Sequence, residues 1–189
     1  SYFPTDIYPF AEDMKCKNPI EILLDEADKC GIKVFISCGF YGNWEHTLEN
    51  MTSDAVTQRA FAAMTELTKY YGHHASFYGW YFPDETCIDP YFLEEFITSA
   101  FAHQLDTTKK TLIAPYGTNL LKADEKYVEQ LKRLDVDIVA YQDEIGVQKS
   151  KPEETAAYYA ALRKAHDAAG RSALWADMEI FEFEEEVYH

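Results

Sequence analysis

Two glutamates stand close behind short apolar runs. Glu85 comes after SFYGWYF at 76–82, and Glu179 after SALWAD at 172–177. A carboxylate in such a place costs several kcal/mol if it is buried without a partner, so two of them converging on one pocket point to a task. The chemistry that needs two facing carboxylates is glycoside hydrolysis. One group protonates the leaving oxygen, and the other attacks the anomeric carbon or activates a water.

The neighbouring loops carry a matching inventory. The segments Gly39–Trp44, Pro83–Glu85, Pro115–Asn119, Gln142–Glu144 and Asp177–Phe181 are rich in aromatics, amides and carboxylates, and none contains Lys or Arg. Flat aromatic faces pack on the C–H faces of sugar rings while amides and carboxylates match hydroxyl groups, so a neutral polyhydroxylated ligand fits and carbohydrate is the expected partner. Tyr41, Asn43, Trp44, Tyr116, Asn119, Gln142, Asp143 and Trp175 are the candidate substrate contacts. Other conspicuous residues have plainer readings. Trp80 and Tyr81 lie within a strand and read as wall or core. His73-His74 ends a helix, where capping or solvation is expected. Glu182–Glu186 reads as a solvated helix start.

Two rival chemistries use the same residues. Glu85, Asp143, Asp177 and Glu179 could ligate Mg²⁺ or Mn²⁺ for isomerase or lyase work. His46 is the one histidine near a strand end, and no HxH pattern supports a metal, so no metal or other cofactor is expected. A carbohydrate-binding barrel without turnover would show the same lining.

Composition narrows the partners further. With 33 acidic and 17 basic side chains the net charge of the 189 residues is −16, which argues against phosphate backbones and anionic membranes. No apolar run is long enough to span a membrane. Cys16, Cys30, Cys38 and Cys87 form no CxxC pair, so disulfide stapling is not expected. The opening SYFPTDIYPF resembles neither a signal peptide nor a natural start, so a longer parent chain is expected. The company such carbohydrate-active barrels keep suggests an extracytoplasmic or secreted setting.

The elements that must position these residues alternate strictly. Asn18-Pro19 with Glu21 has the layout of a helix start, Gly31 of its end, and KVFISC at 33–38 follows. Val56 to Tyr71 repeats at helical spacing up to Gly72, ahead of SFYGWYF. A third helix is expected from Asp89-Pro90 before TLIA at 111–114, and a fourth from about Asp124 before VDIVAY at 136–141. A fifth, from a Ser150-x-x-Glu153 capping box to Gly170, precedes SALWAD. Helix–strand alternation implies a parallel sheet covered by helices in one domain spanning 1–189. An open doubly wound sheet and a (β/α)8 barrel both fit. The eight glycines never form GxGxxG or a P-loop, which favours the barrel. A full barrel needs roughly 250 residues, so a partial α/β barrel of five strands is expected.

At this point the blocks YFPT, KVFISCGF with Trp44, FYGWYFPDE, TLIAPYG, DIVAYQDEIG and LWADMEIFEF together resemble a glycosidase-like barrel family known as a domain of unknown function (four-four-three-four). The resemblance implies that these strands are the third to seventh of eight, with the first, second and eighth missing. It is similar in turn to retaining glycosidases whose acid/base follows the fourth strand and whose nucleophile follows the seventh. That implies Glu85 as acid/base and Glu179 as nucleophile. The retaining enzymes usually have Asn before the acid/base, where Asp84 stands here.

Overall fold

The computed structural model describes residues 1–37, 53–82, 88 and 108–183. They fall into two compact units, one built on Ser1–Asp84 with Ala100–Thr111, the other on Glu85–Ser99 with Leu112–His189.

In the first unit α1 (Pro19–Cys30) is set by its ends. Asn18 Oδ1 accepts the N–H of Glu21 at 3.4 Å, Pro19 occupies the first helical position, and Gly31 stops the helix at φ +66°, a conformation in which a Cβ would be strained. Strand β1 (Val34–Ser37) follows, then α2 (Asp54–Tyr71), capped by Ser53 Oγ, then β2 (Phe77–Phe82). The strands pair in parallel, with Ile36 opposite Trp80 and Ser37 opposite Tyr81. Leu24 and Ala27 of α1 and Ala63, Met64 and Leu67 of α2 are buried with Phe77 and Trp80. Trp80 and Phe77 meet edge to face at 4.8 Å, so Trp80 is core as its place in the strand predicts. His74 departs from expectation. It is buried rather than solvated, because Asp28 of α1 accepts a hydrogen bond from its Nδ1 at 2.8 Å.

Strand β3 (Lys110–Ile113) starts in the first unit and ends in the second. Helix α3 (Glu125–Arg133), β4 (Ile138–Gln142), α4 (Pro152–Ala169) and β5 (Ala173–Asp177) complete the chain order. In the second unit β3, β4 and β5 are parallel neighbours in sequence order, with Leu112 opposite Ile138 and Ala140 opposite Trp175. Asp124 caps α3 as expected. The start of α4 lies one residue later than the Ser150–Glu153 pattern predicts. Pro152, with its φ already set, takes the first helical position, so Glu154, not Glu153, reaches back to the N–H of Lys151 at 3.3 Å. The helix expected from Asp89-Pro90 lies outside the described residues.

All five predicted strands are present within one or two residues of the expected bounds, and they are neighbours in sequence order in one sheet. This is an α/β fold, a partial (β/α)8 barrel. Among the described residues no helix is long and apolar enough to cross a membrane, and Cys16 and Cys30 are free.

Candidate active site

The second unit sorts its side chains by strand period. Tyr141 of β4 shares hydrogen bonds with His166 of α4 at 2.8 Å and Tyr127 of α3 at 2.5 Å, so its face is the one that the helices cover. Ala140 and Gln142 alternate to the other face. Their register partners on β5 are Trp175 and Asp177. Gln142, Trp175 and Asp177 therefore share the face turned away from the helices, which in a barrel is the interior.

Beyond the strand ends the carboxylates gather. Asp143 is buried, and its Oδ1 accepts the N–H of Glu179 at 3.1 Å and that of Ile145 at 3.3 Å. Its Oδ2 is buried with no hydrogen bond. The N–H of Asp143 donates to the carbonyl of Asp177 at 3.0 Å, tying the ends of β4 and β5 together. Glu179 is half-buried, and its Oε2 accepts the N–H of Val147 at 2.9 Å. Gly146 makes this approach possible: a Cβ there would lie 2.3 Å from the Phe181 carbonyl oxygen and 3.0 Å from Glu179 Oε2. The loop after β4 is thus closed onto the loop after β5, and Phe183 N–H to Gly146 O at 2.9 Å continues the contact.

A third carboxylate, Glu144, is held by the loop after β3. Its Oε2 accepts the N–H groups of Gly117 at 2.9 Å and Thr118 at 3.0 Å, and its own φ is +56°. Burial raises the Glu144 carboxyl above the ordinary range. The Gly117 and Thr118 amides and Lys149 pull it down, and the charge of Glu179 adds to the rise. Desolvation likewise raises Asp177, with repulsion from Asp143 in the same direction. Tyr159 of α4 donates to the Tyr141 carbonyl at 2.5 Å, and its phenol is pushed well up by burial and by the charges of Asp143 and Asp177. In all three the largest cause is burial, and a neighbouring carboxylate adds to the rise.

Of the residues expected at the site, Glu179 and Asp143 are brought together. Gln142 Nε2 donates to the Ala114 carbonyl at 3.0 Å, bracing the ends of β3 and β4. Asn119 Nδ2 donates to the Lys149 carbonyl at 2.9 Å, and the Tyr116 ring lies 5.6 Å from Lys149 Nζ. That lysine places a cation beside strand-end loops whose cores contain none. Trp175 is 46% exposed on β5, with room for an apolar contact. Glu85, Tyr41, Asn43 and Trp44 lie outside the described residues. Glu144 and Tyr159 were not singled out by the sequence. The triplet Gln142-Asp143-Glu144 offered the only signal for Glu144, since its positive φ and amide partners arise from tertiary contacts. Among the described residues, the ligand-type side chains whose donor atoms lie within 4.8 Å of one another are Glu21, His73 and His74, far in sequence from these carboxylates.

The sequence matches the family model described as Domain of unknown function (DUF4434) over residues 1–188. The chain belongs to that family. No curated protein matches it. Among solved structures it is similar to a "putative alpha-L-fucosidase" from Bacteroides thetaiotaomicron VPI-5482, with a TM-score of 0.62 and 19% identity over 87% of this chain. The likeness shows the fold. This chain spans about half, 53%, of the length of that structure.

Proposed function

We propose that this DUF4434 protein is a glycoside hydrolase that works by the retaining, two-step mechanism on a carbohydrate outside the cytoplasm. The observation that carries the reading is the fixed carboxylate of Glu179 at the end of β5, held by the Val147 N–H and backed by Asp143 through its own backbone. A nucleophile must be aimed before substrate arrives, because orientation supplies much of the rate. In this mechanism Glu179 attacks the anomeric carbon, and Glu85 protonates the leaving oxygen and then deprotonates the water that releases the sugar. Gln142 and Asp143 hold the carboxylate loops, and Trp175, Tyr116 and Asn119, with Tyr41, Asn43 and Trp44, shape the sugar subsites. The fold likeness to a protein described as a fucosidase supports the substrate class, and makes α-L-fucosides a natural first trial.

The test is a panel of aryl glycosides, α-L-fucoside included, assayed with the wild-type protein and with Glu179→Ala. Turnover by the wild type, its loss in the variant and its return with azide as a glycosyl azide of inverted configuration would support the proposal. Sugar binding without turnover, unchanged in Glu179→Gln, would replace it with a carbohydrate-binding barrel.

A further inference from the structure

Away from the strand ends, on the turn that leads from α2 into β2, lies a second group of chemically competent side chains. His74 is 5% exposed. Its Nδ1 faces Asp28 Oδ2 at 2.8 Å, and the other oxygen of Asp28 accepts the N–H of Ser76 at 2.6 Å. A carboxylate held in this way accepts the Nδ1 proton and leaves the Nε2 lone pair free. That Nε2 is buried and makes no hydrogen bond. Its nearest charged neighbour is Glu21 Oε1 of α1 at 3.7 Å. His73 stacks beside it with ring centroids 4.1 Å apart. One donor atom from each of Glu21, His73 and His74 lies within 4.8 Å of the others.

We propose that Glu21, His73 and His74 bind a zinc-type divalent cation, with Asp28 as the carboxylate that orients His74. Two ligands of one tetrahedral zinc ion, each about 2 Å from the metal, lie about 3.3 Å apart. The 3.7 Å between His74 Nε2 and Glu21 Oε1 is already close to that value. His73 is exposed and closes the remaining gap by a side-chain rotation, and water completes the shell. The donor set of two imidazoles and one carboxylate is that of borderline metals rather than of Mg²⁺ or Ca²⁺, which take oxygen shells. Asp28 to His74 to metal is the relay that fixes tautomer and ring orientation in zinc proteins. The ion would clip the first turn of α1 to the α2–β2 turn. Its role is therefore structural, and it stands apart from the strand-end chemistry.

The site is tested by titrating the full chain, without a histidine tag, with Zn²⁺ by calorimetry and with Co²⁺ by visible absorption. One equivalent of Zn²⁺ should bind, Co²⁺ should give the intense d–d bands of a tetrahedral site, and Zn²⁺ should raise the melting temperature. His73→Ala and Glu21→Gln change side chains that are not buried, and each should weaken binding at least tenfold with the far-ultraviolet dichroism unchanged. Asp28→Asn should weaken it by about 10- to 100-fold. If that variant fails to fold, the other two decide. No saturable binding of either metal to the wild type would overturn the proposal, and so would undiminished affinity in a His73→Ala/Glu21→Ala double variant.

Discussion

Asp143 Oδ1 accepts the backbone N–H of Glu179 at 3.1 Å, so the first residue after β4 sets the course of the chain that carries the proposed nucleophile. The same oxygen also accepts the Ile145 N–H, which locks its own loop. Replacing Asp143 with Ala leaves both amides without this acceptor and frees Glu179 to shift. A misplacement of about 1 Å can cost about 100-fold in rate. Asp143→Ala should therefore lower kcat by roughly that factor with little change in KM. Steady-state kinetics on an aryl glycoside that the wild type cleaves would check it. A change confined to KM would make Asp143 a sugar contact instead.

Glu144 is raised by burial, and the sign of its effect on stability follows. A carboxyl with a higher pKa folded than unfolded contributes fully below the unfolded value, about 4.3, and its contribution is lost as pH rises through the folded value. Ionising this group puts a charge in a dehydrated place. Glu144→Gln keeps an oxygen for the Gly117 and Thr118 amides and removes that charge. It should melt at a higher temperature than the wild type at pH 7, and the gain should vanish below about pH 4. Thermal melts at the two pH values measure this. Glu144→Ala, which strands two amides, should instead be destabilised by about 1–3 kcal/mol per unsatisfied group.

The fold was largely legible in the sequence because its signals are local. Asn18, Pro19 and Gly31 bracket α1, and each apolar run became a strand, since caps and periodicity act over a few residues. The site was legible in part. Glu179 and Asp143 follow apolar runs and could be picked by position. The buried states of Glu144 and His74 could not, because what buries them are partners far along the chain: Gly117 and Thr118 for the first, Asp28 for the second. The α4 start lies one residue beyond the Ser150 pattern because Pro152 takes the first helical position.

His166 shows how a buried polar chain is satisfied. A carbonyl can only accept, so His166 Nδ1–H donates to the Ser172 oxygen at 3.1 Å. Burial lowers the imidazole's pKa and keeps it neutral, so Nε2 accepts from Tyr141, which accepts from Tyr127 in turn. A depressed pKa means that the stability is present above the unfolded value, about 6.5, and is lost as pH falls from there through the folded value. The melting temperature should decline as pH is lowered from 7 toward 5, and His166→Gln should be less stable at pH 7 but flatter across that interval. Equal slopes for the two proteins would assign the acid sensitivity to other groups.

Gly79 leaves no room for a side chain in the first unit. It lies opposite Phe35 where the β1–β2 register slips by one residue, and the Phe35 ring turns edge-on to Tyr78 at 5.4 Å. A Cβ on Gly79 would meet the Phe35 ring at 2.6 Å and the Lys110 carbonyl oxygen at 2.4 Å. The ring can swing away, but the carbonyl belongs to the start of β3 and moves only with the backbone. Gly79→Ala should cost about 1–3 kcal/mol, the usual range for overpacking. Urea denaturation would measure it as a lower midpoint with an unchanged slope. Phe35→Leu in the same background separates the two contacts. If the ring is the main obstacle, the double variant should lose less than the sum of the singles, by about 0.5–3 kcal/mol as touching residues do. If the carbonyl is the main obstacle, the losses should add. A Gly79→Ala protein as stable as the wild type would mean that the strand beside it yields freely, against the close approach of Lys110 to β2.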